Sequence, residues 1–253
     1  MEILKAENVC LRSKDKIILD NVNLSMQEGD FTCLIGKNGS GKTSLMKCMS
    51  RLMRMNEGSV SVFGKNIEEY SRKELSQKVS VVLQDNNNNL NFKVYDVVLM
   101  GRTPYKKLWQ KDIEEDFLLT ENALKSTNTL HLKDKPYFLL SSGEKQRVLI
   151  ARALCQNTPI IFLDEPVSNL DIKHQFEIMD ILKEINSKEK RSIFLILHDL
   201  SLCLQYTDKV IALKDGRVEY SGCTKEVLQE EKLFSLFDIH TQIIDNKYII
   251  LKH

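Results

Sequence analysis

The most constraining stretch of this 253-residue chain is Gly36-Lys37-Asn38-Gly39-Ser40-Gly41-Lys42-Thr43. It follows the apolar run Phe31–Ile35 and precedes apolar residues at Leu45, Met46, Met49, Leu52 and Met53. A G-x-x-x-x-G-K-[ST] pattern between a buried strand and an amphipathic helix predicts a loop whose successive N–H groups converge on phosphate oxygens, helped by the partial positive charge of the helix N-terminus. Lys42 is then set to reach the β- and γ-phosphates. Thr43 is set to offer its hydroxyl to Mg²⁺, a hard cation that prefers oxygen. Ser44 completes the set of cofactor-binding residues at this turn. Such a cradle alone serves a kinase, a GTPase or a motor equally well.

Composition narrows the partners. With 36 Lys+Arg against 35 Asp+Glu, the formal net charge is +1, so the chain lacks the basic footprint of a protein that grips nucleic acid. The six cysteines, Cys10, Cys33, Cys48, Cys155, Cys203 and Cys223, are widely spaced and form no C-x-x-C pair; they read as reduced, mostly buried thiols. The longest apolar runs are a fraction of the about 20 residues that a membrane span needs. The first residues lack the pattern of a signal peptide, which makes the cytoplasm the expected address.

The period of the apolar residues gives the organisation. Glu2–Leu11 and Ile17–Leu24 read as strands, Lys42–Met55 as a helix, and Ser59–Phe63 and Val79–Leu83 as a further pair of strands. From Asp85 to Asn157 the pattern turns helical, at Val94–Gly101, Lys111–Ser126 and Ser141–Cys155. Ile160–Leu163 and Ile193–Leu197 are short continuous apolar runs, as in strands buried on both faces. Between them, Ile172, Phe176, Met179, Leu182 and Ile185 lie on one helical stripe, which predicts a parallel sheet with right-handed crossovers. Hairpins are expected at Val210–Leu213 with Arg217–Tyr220, and at Gln242–Ile244 with Tyr248–Leu251.

The run Ile160–Leu163 ends in Asp164 and Glu165. A strand end in such an architecture lies beside the phosphate loop, where Asp164 can hold the Mg²⁺ hydration shell and Glu165 can polarise an attacking water. Ser141 and Glu144 stand at capping-box spacing before Val148, Ala151 and Leu154, so they open a helix whose free N–H groups suit an anion.

At this point the chain resembles the ATP-binding cassette ATPases over essentially its whole length. The resemblance is carried by the glycine loop, Gln84, Leu140-Ser141-Ser142-Gly143-Glu144, Asp164-Glu165, Ser168-Asn169-Leu170-Asp171 and His198. It implies an α/β P-loop NTPase fold with a mostly parallel core sheet, an antiparallel β subdomain and a helical insertion, forming one domain over 1–253. Residues 1–84 and 158–253 would form the nucleotide-binding core and 85–157 the helical part bearing the signature. It also implies a head-to-tail homodimer in which each ATP lies between one copy's phosphate loop and the other's Ser141, Ser142, Gly143 and Glu144. His198 would contact the γ-phosphate and orient water, Gln84 would touch Mg²⁺ and water, and Asp171 would belong to the loop that crosses the dimer.

Two departures from the family pattern stand out. Alignment puts Leu11 where relatives carry an aromatic ring for adenine; losing about 1–3 kcal/mol of stacking weakens binding roughly 5- to 150-fold. Ser142 replaces a glycine, which costs on the order of 1–2 kcal/mol if the position needs a positive φ; slowed or retuned turnover is expected rather than an inert subunit.

Within the family, Val94–Tyr105 and His198-Asp199-Leu200-Ser201-Leu202 look like the subgroup that energises bacterial importers of iron chelates, haem and cobalamin. That likeness implies integral permease subunits, an extracytoplasmic binding protein acting indirectly, and a peripheral position on the cytoplasmic face of the inner membrane. The insertion would dock the permease, with Asn86–Asn89 near the dock. The alternative is a soluble cassette ATPase serving as an assembly factor, for example for iron–sulfur clusters.

Overall fold

The computed structural model describes residues 1–14, 16–84, 91–107, 109–168, 170–245 and 247–252; the asparagine tetrad Asn86–Asn89 and Asn169 lie outside the described residues. The chain opens with β1 (Glu2–Ser13) and β2 (Lys16–Gln27), which pair antiparallel, and then enters β3 (Phe31–Ile35) and α1 (Lys42–Met49). β4 (Glu57–Val62) and β5 (Lys65–Asn66) complete a four-stranded sheet in the order β2-β1-β4-β5. After α2 (Arg72–Ser76) and β6 (Val79–Val82) come three helices, α3 (Val94–Leu99), α4 (Glu114–Ser126) and α5 (Ser142–Cys155). The second half alternates β7 (Ile160–Asp164), α6 (Ile172–Glu189), β8 (Ser192–Ile196), α7 (Leu200–Tyr206) and β9 (Lys209–Lys214). It ends with β10 (Arg217–Cys223), α8 (Thr224–Val227), α9 (Glu230–Phe237) and the hairpin β11 (Thr241–Ile244) with β12 (Tyr248–Leu251).

The central sheet has the order β10-β9-β3-β8-β7-β6, parallel throughout except for β10 at its edge. The fold is therefore the expected one, a mostly parallel core with a separate antiparallel sheet. The strands expected at Ser59–Phe63 and Val79–Leu83 belong to different sheets, as β4 and β6.

Strands β3, β7 and β8 are buried at every position because both faces of the sheet are covered. Side chains alternate between those faces. Phe31, Cys33, Ile161, Leu163, Ile193 and Leu195 face one core with α3, α5 and α6, while Leu34, Ile160, Phe162, Phe194 and Ile196 face the other with α1 and the antiparallel sheet. Across the second core the Phe162 and Phe194 rings sit 5.4 Å apart and tilted, an arrangement worth about 0.5–1.5 kcal/mol beyond burial.

Two helices depart from the apolar spacing. α1 stops at Met49 rather than Met55, because Ser50 Oγ turns back on Met46 O, Arg51 takes a left-handed φ of 57°, and the N–H groups of Leu52 and Met53 both reach Lys47 O. Met53 and Met55 still pack on the core from the turn, which is why their spacing mimics more helix. In α6 the stripe begins late: Ile172 is 73% exposed at the first helical position, whereas Met179, Leu182 and Ile185 are buried. Five cysteines are buried and free, and Cys223 is exposed.

A buried ion pair ties the α3-to-α5 region together. Arg102 Nε donates to Asp116 Oδ1 at 2.8 Å and Nη1 to Cys155 O at 3.2 Å, with the guanidinium 4.0 Å from the centre of the Tyr105 ring. Burial disfavours the Asp116 carboxylate, but Arg102 and the Ile113 N–H outweigh it and hold its pKa below the usual range. Replacing Asp116 by Ala leaves a buried guanidinium without its counter-charge. The expected loss is about 3–5 kcal/mol of stability, read as a lowered urea midpoint; an unchanged midpoint would show the pair contributes nothing.

Candidate active site

Parallel register brings the strand ends together. Leu34 of β3 pairs with Ile196 of β8, and Asp164 of β7 pairs with the same Ile196, so the loop after β3, the acids ending β7 and the residues after β8 emerge on one edge. A cleft of about 520 Å³ opens there, floored by Asn38, Gly39, Gly41, Lys42, Thr43 and Ser44, with Glu165 at one side and Ser13, Lys16 and Ile18 on the opposite wall.

The loop curls tightly under β9. Gly36 has φ +154°, and a Cβ on it would meet Leu213 O at 2.2 Å and Ser40 Oγ at 2.8 Å. Gly41, at φ +102°, starts α1 directly, so the first N–H groups of that helix border the cleft. Lys42 Nζ donates to Gly36 O at 2.9 Å and Lys37 O at 3.1 Å, closing the loop on itself. Burial lowers the pKa of this ammonium, while Glu165 and Asp164 push it back up. Ser40 Oγ is buried and has no partner among the described residues, an orphaned hydroxyl in a cradle shaped for oxygen anions.

Thr43 Oγ1 donates to Asp164 Oδ1 at 3.1 Å. Burial raises the pKa of the Asp164 carboxyl; the Thr43 hydroxyl opposes this and the neighbouring Glu165 charge adds to it. A buried carboxylate so poorly compensated, beside a hydroxyl, is a hard-oxygen donor set that fits a divalent cation.

Glu165 sits at the centre of the second group. His198 Nε2 lies 2.6 Å from Glu165 Oε1, and Gln84 Nε2 donates to Glu165 Oε2 at 3.1 Å and to Ser168 Oγ at 2.9 Å. Ser168 Oγ in turn donates to Glu165 O at 3.0 Å. Glu165 itself has a left-handed φ of 50°, uncommon for a residue with a side chain and typical of strain held at working sites. Neither that conformation nor the bracing by Ser168 was foreseen; the serine at position three of the turn after the acids is the only hint the sequence offers.

The structure thus brings Gly36, Lys37, Asn38, Gly39, Ser40, Gly41, Lys42, Thr43, Ser44, Asp164, Glu165, Gln84 and His198 to one edge of the sheet. The signature residues and Asp171 do not line this cleft. Ser141 caps α5 as expected: its Oγ accepts from Glu144 N at 3.3 Å and its N–H donates to Glu144 Oε2 at 2.8 Å. Asp171 caps α6, accepting from His174 N at 3.0 Å, and its other oxygen lies 2.8 Å from His174 Nδ1. The same His174 ring lies against Gly143, where a Cβ would come within 3.3 Å.

Both departures noted in the sequence are resolved by geometry. Leu11 is 5% exposed within the core and does not line the cleft; its place there is taken by Ser13, Lys16 and Ile18, none of them aromatic. Leu11 lies between two register irregularities of the β1–β2 pairing, beyond which the chain reaches the cleft at Ser13. Ser142 is the first residue of α5 and is not among the positive-φ residues, so the backbone strain of a side chain at a positive φ is absent there.

Fold and cleft define a P-loop nucleotide-binding ATPase cassette. A family model described as ABC transporter matches residues 19–168, and the chain belongs to that family. It is 35% identical over 249 residues to the petrobactin import ATP-binding protein YclP of Bacillus subtilis (strain 168), covering 98% of both chains. It is 34% identical over 244 residues to the iron(3+)-hydroxamate import ATP-binding protein FhuC of the same organism, covering 96% of this chain and 91% of the relative. Among solved structures it is similar to the ADP conformation of MJ1267, an ATP-binding cassette of an ABC transporter, with a TM-score of 0.84, 28% identity, and coverage of 94% and 99%.

Gly36→Ala tests the cradle. The new methyl collides with backbone, and strain of about 1–3 kcal/mol translates into roughly 5- to 150-fold weaker nucleotide binding. Titration with a fluorescent ATP analogue measures it, and an unaltered Kd would contradict the close approach to Leu213.

Proposed function

We propose that this chain is the ATP-hydrolysing subunit of an importer for an iron chelate of the siderophore type, haem or cobalamin. It works as a homodimer on the cytoplasmic face of the cell membrane, with integral permease subunits and, through them, an extracytoplasmic binding protein. The observation that carries the hydrolytic part is the Glu165 carboxylate held between His198 and Gln84 beside the phosphate loop. Similarity to the petrobactin and iron(3+)-hydroxamate import ATP-binding proteins supports the transport part.

In this reading the loop N–H groups and Lys42 hold the β- and γ-phosphates. Thr43, Asp164 and Gln84 would hold Mg²⁺, which when bound would supply charge neutralisation on the phosphates. Glu165 accepts a proton from water as the oxygen attacks the γ-phosphorus and the bond to the β-phosphate oxygen breaks. His198 orients that water. Ser141, Ser142, Gly143 and Glu144 of a second copy present the N-terminus of α5 to the γ-phosphate, and Asp171 of each copy lies at the seam. The division into a core, 1–84 and 158–253, and a helical part, 85–157, supplies two bodies whose relative rotation the permease can sense.

The seat for the permease is a groove of about 540 Å³ bounded by both bodies: Arg51 and Leu52 after α1, Arg72 and Leu75 of α2, and Arg152 and Gln156 at the end of α5. Leu52 is 57% exposed there, an apolar side chain without a cover.

Glu165→Gln removes the proton acceptor. Mg-ATP hydrolysis by the chain assembled with its membrane partner is expected to fall by about 10²–10⁴-fold, while light scattering at saturating ATP detects a stable dimer. Retained hydrolysis sinks the mechanism. Leu52→Glu puts a charge in the groove: copurification with the permease and uptake in cells are expected to fall, with hydrolysis by the isolated subunit unchanged. Undiminished copurification removes the groove as the seat.

A further inference from the structure

Between Tyr105 and α4 the chain projects Trp109, 93% exposed at a left-handed φ of 66°. An indole left in water forgoes the burial that normally stabilises so large an apolar surface, and no ring or cation packs on it among the described residues. Lys107 and Lys111 beside it are exposed and have no ion-pair partner among the described residues, whereas Lys106 pairs with Asp112. Ile113, Phe117 and Leu118 add exposed apolar surface a few residues on. The acids that follow, Glu114 and Glu115, lie in the first turn of α4, where the helix terminus offsets their charge.

This projection is strapped to one wall of the groove. Lys73 Nζ donates to Lys106 O at 2.7 Å and Gln77 Nε2 to Pro104 O at 2.8 Å, which fixes the preceding residues against α2. A permease seated in the groove holds that rim close to the bilayer.

We propose that Trp109, Lys107 and Lys111 form a membrane-surface contact, with the indole among the headgroups of anionic lipid and the two ammonium groups paired to lipid phosphates. Its position at the bilayer rests on the reading of the groove as the permease seat. The chemistry selects lipid over protein: the cores of protein interfaces take up tryptophan but shed lysine. Tryptophan together with lysine is the composition of the membrane–water boundary, and the anionic cytoplasmic leaflet attracts such lysines.

Trp109 is the only tryptophan in the chain, so its emission reports this site alone. The full chain, without permease, is titrated with vesicles of phosphatidylcholine containing about one third phosphatidylglycerol, a fraction set by the need for an anionic surface. A blue shift, quenching by brominated acyl chains, loss of both in high salt, and no response to pure phosphatidylcholine are expected. The Lys107→Ala/Lys111→Ala variant should partition roughly 30-fold more weakly, about fivefold per lysine. Trp109→Ala keeps its ATP hydrolysis, which checks the fold. Equal response to both lipids overturns the proposal, as does no response, or a shift that appears only with permease in detergent free of anionic lipid, which assigns the ring to a protein contact. Because the vesicles hold no permease, these outcomes bear on lipid contact, whereas lost copurification in the Leu52 experiment bears on the groove.

Discussion

Everything at the cleft depends on the side-by-side registration of β3, β8 and β7. Parallel strands that pair Leu34 and Asp164 with the same Ile196 must end level, and their three following turns must then share one edge of the sheet. The hydrophobic burial of these strands on both faces makes that registration rigid, since a slip by one residue would exchange the two cores for each other. Lys42 is thereby set beside an acid pair and a histidine that lie more than a hundred residues further along the chain.

The electrostatics follow from this crowding. Lys42 is buried and drawn toward its neutral form, Asp164 is buried and drawn toward its neutral form, and each is partly rescued by charge nearby. A site in which both signs are undercompensated is one that gains from an incoming phosphate and cation together. The backbone contributes as well: Gly36 is pressed against Leu213 O, and Glu165 is kept in a left-handed turn by the hydroxyl of Ser168.

Much of this was legible in the chain itself. The loop, the buried strands and the capping box of Ser141 with Glu144 are local patterns in which spacing and chemistry point the same way, and they fell where the spacing put them. Leu11 sits in the core between register shifts of β1 that no residue type announces, and α1 ends before its apolar spacing does because Met53 and Met55 pack from a turn. The strain feared at Ser142 required knowledge of its φ, which no residue type carries. Contacts among residues distant in sequence, such as Gln84 with Ser168 or His174 against Gly143, leave no periodic trace.

Gln84 stands two residues past the end of β6 at Val82, where its side-chain amide meets the acid end of β7. Its two bonds, to Glu165 Oε2 and Ser168 Oγ, make it a latch: a displacement of about an ångström is enough to exceed hydrogen-bond range. Released from it, the carboxylate would keep, among the described residues, the imidazole of His198 as its side-chain partner. In the proposed importer, the hold of this one amide on the carboxylate would set the tempo of fuel consumption.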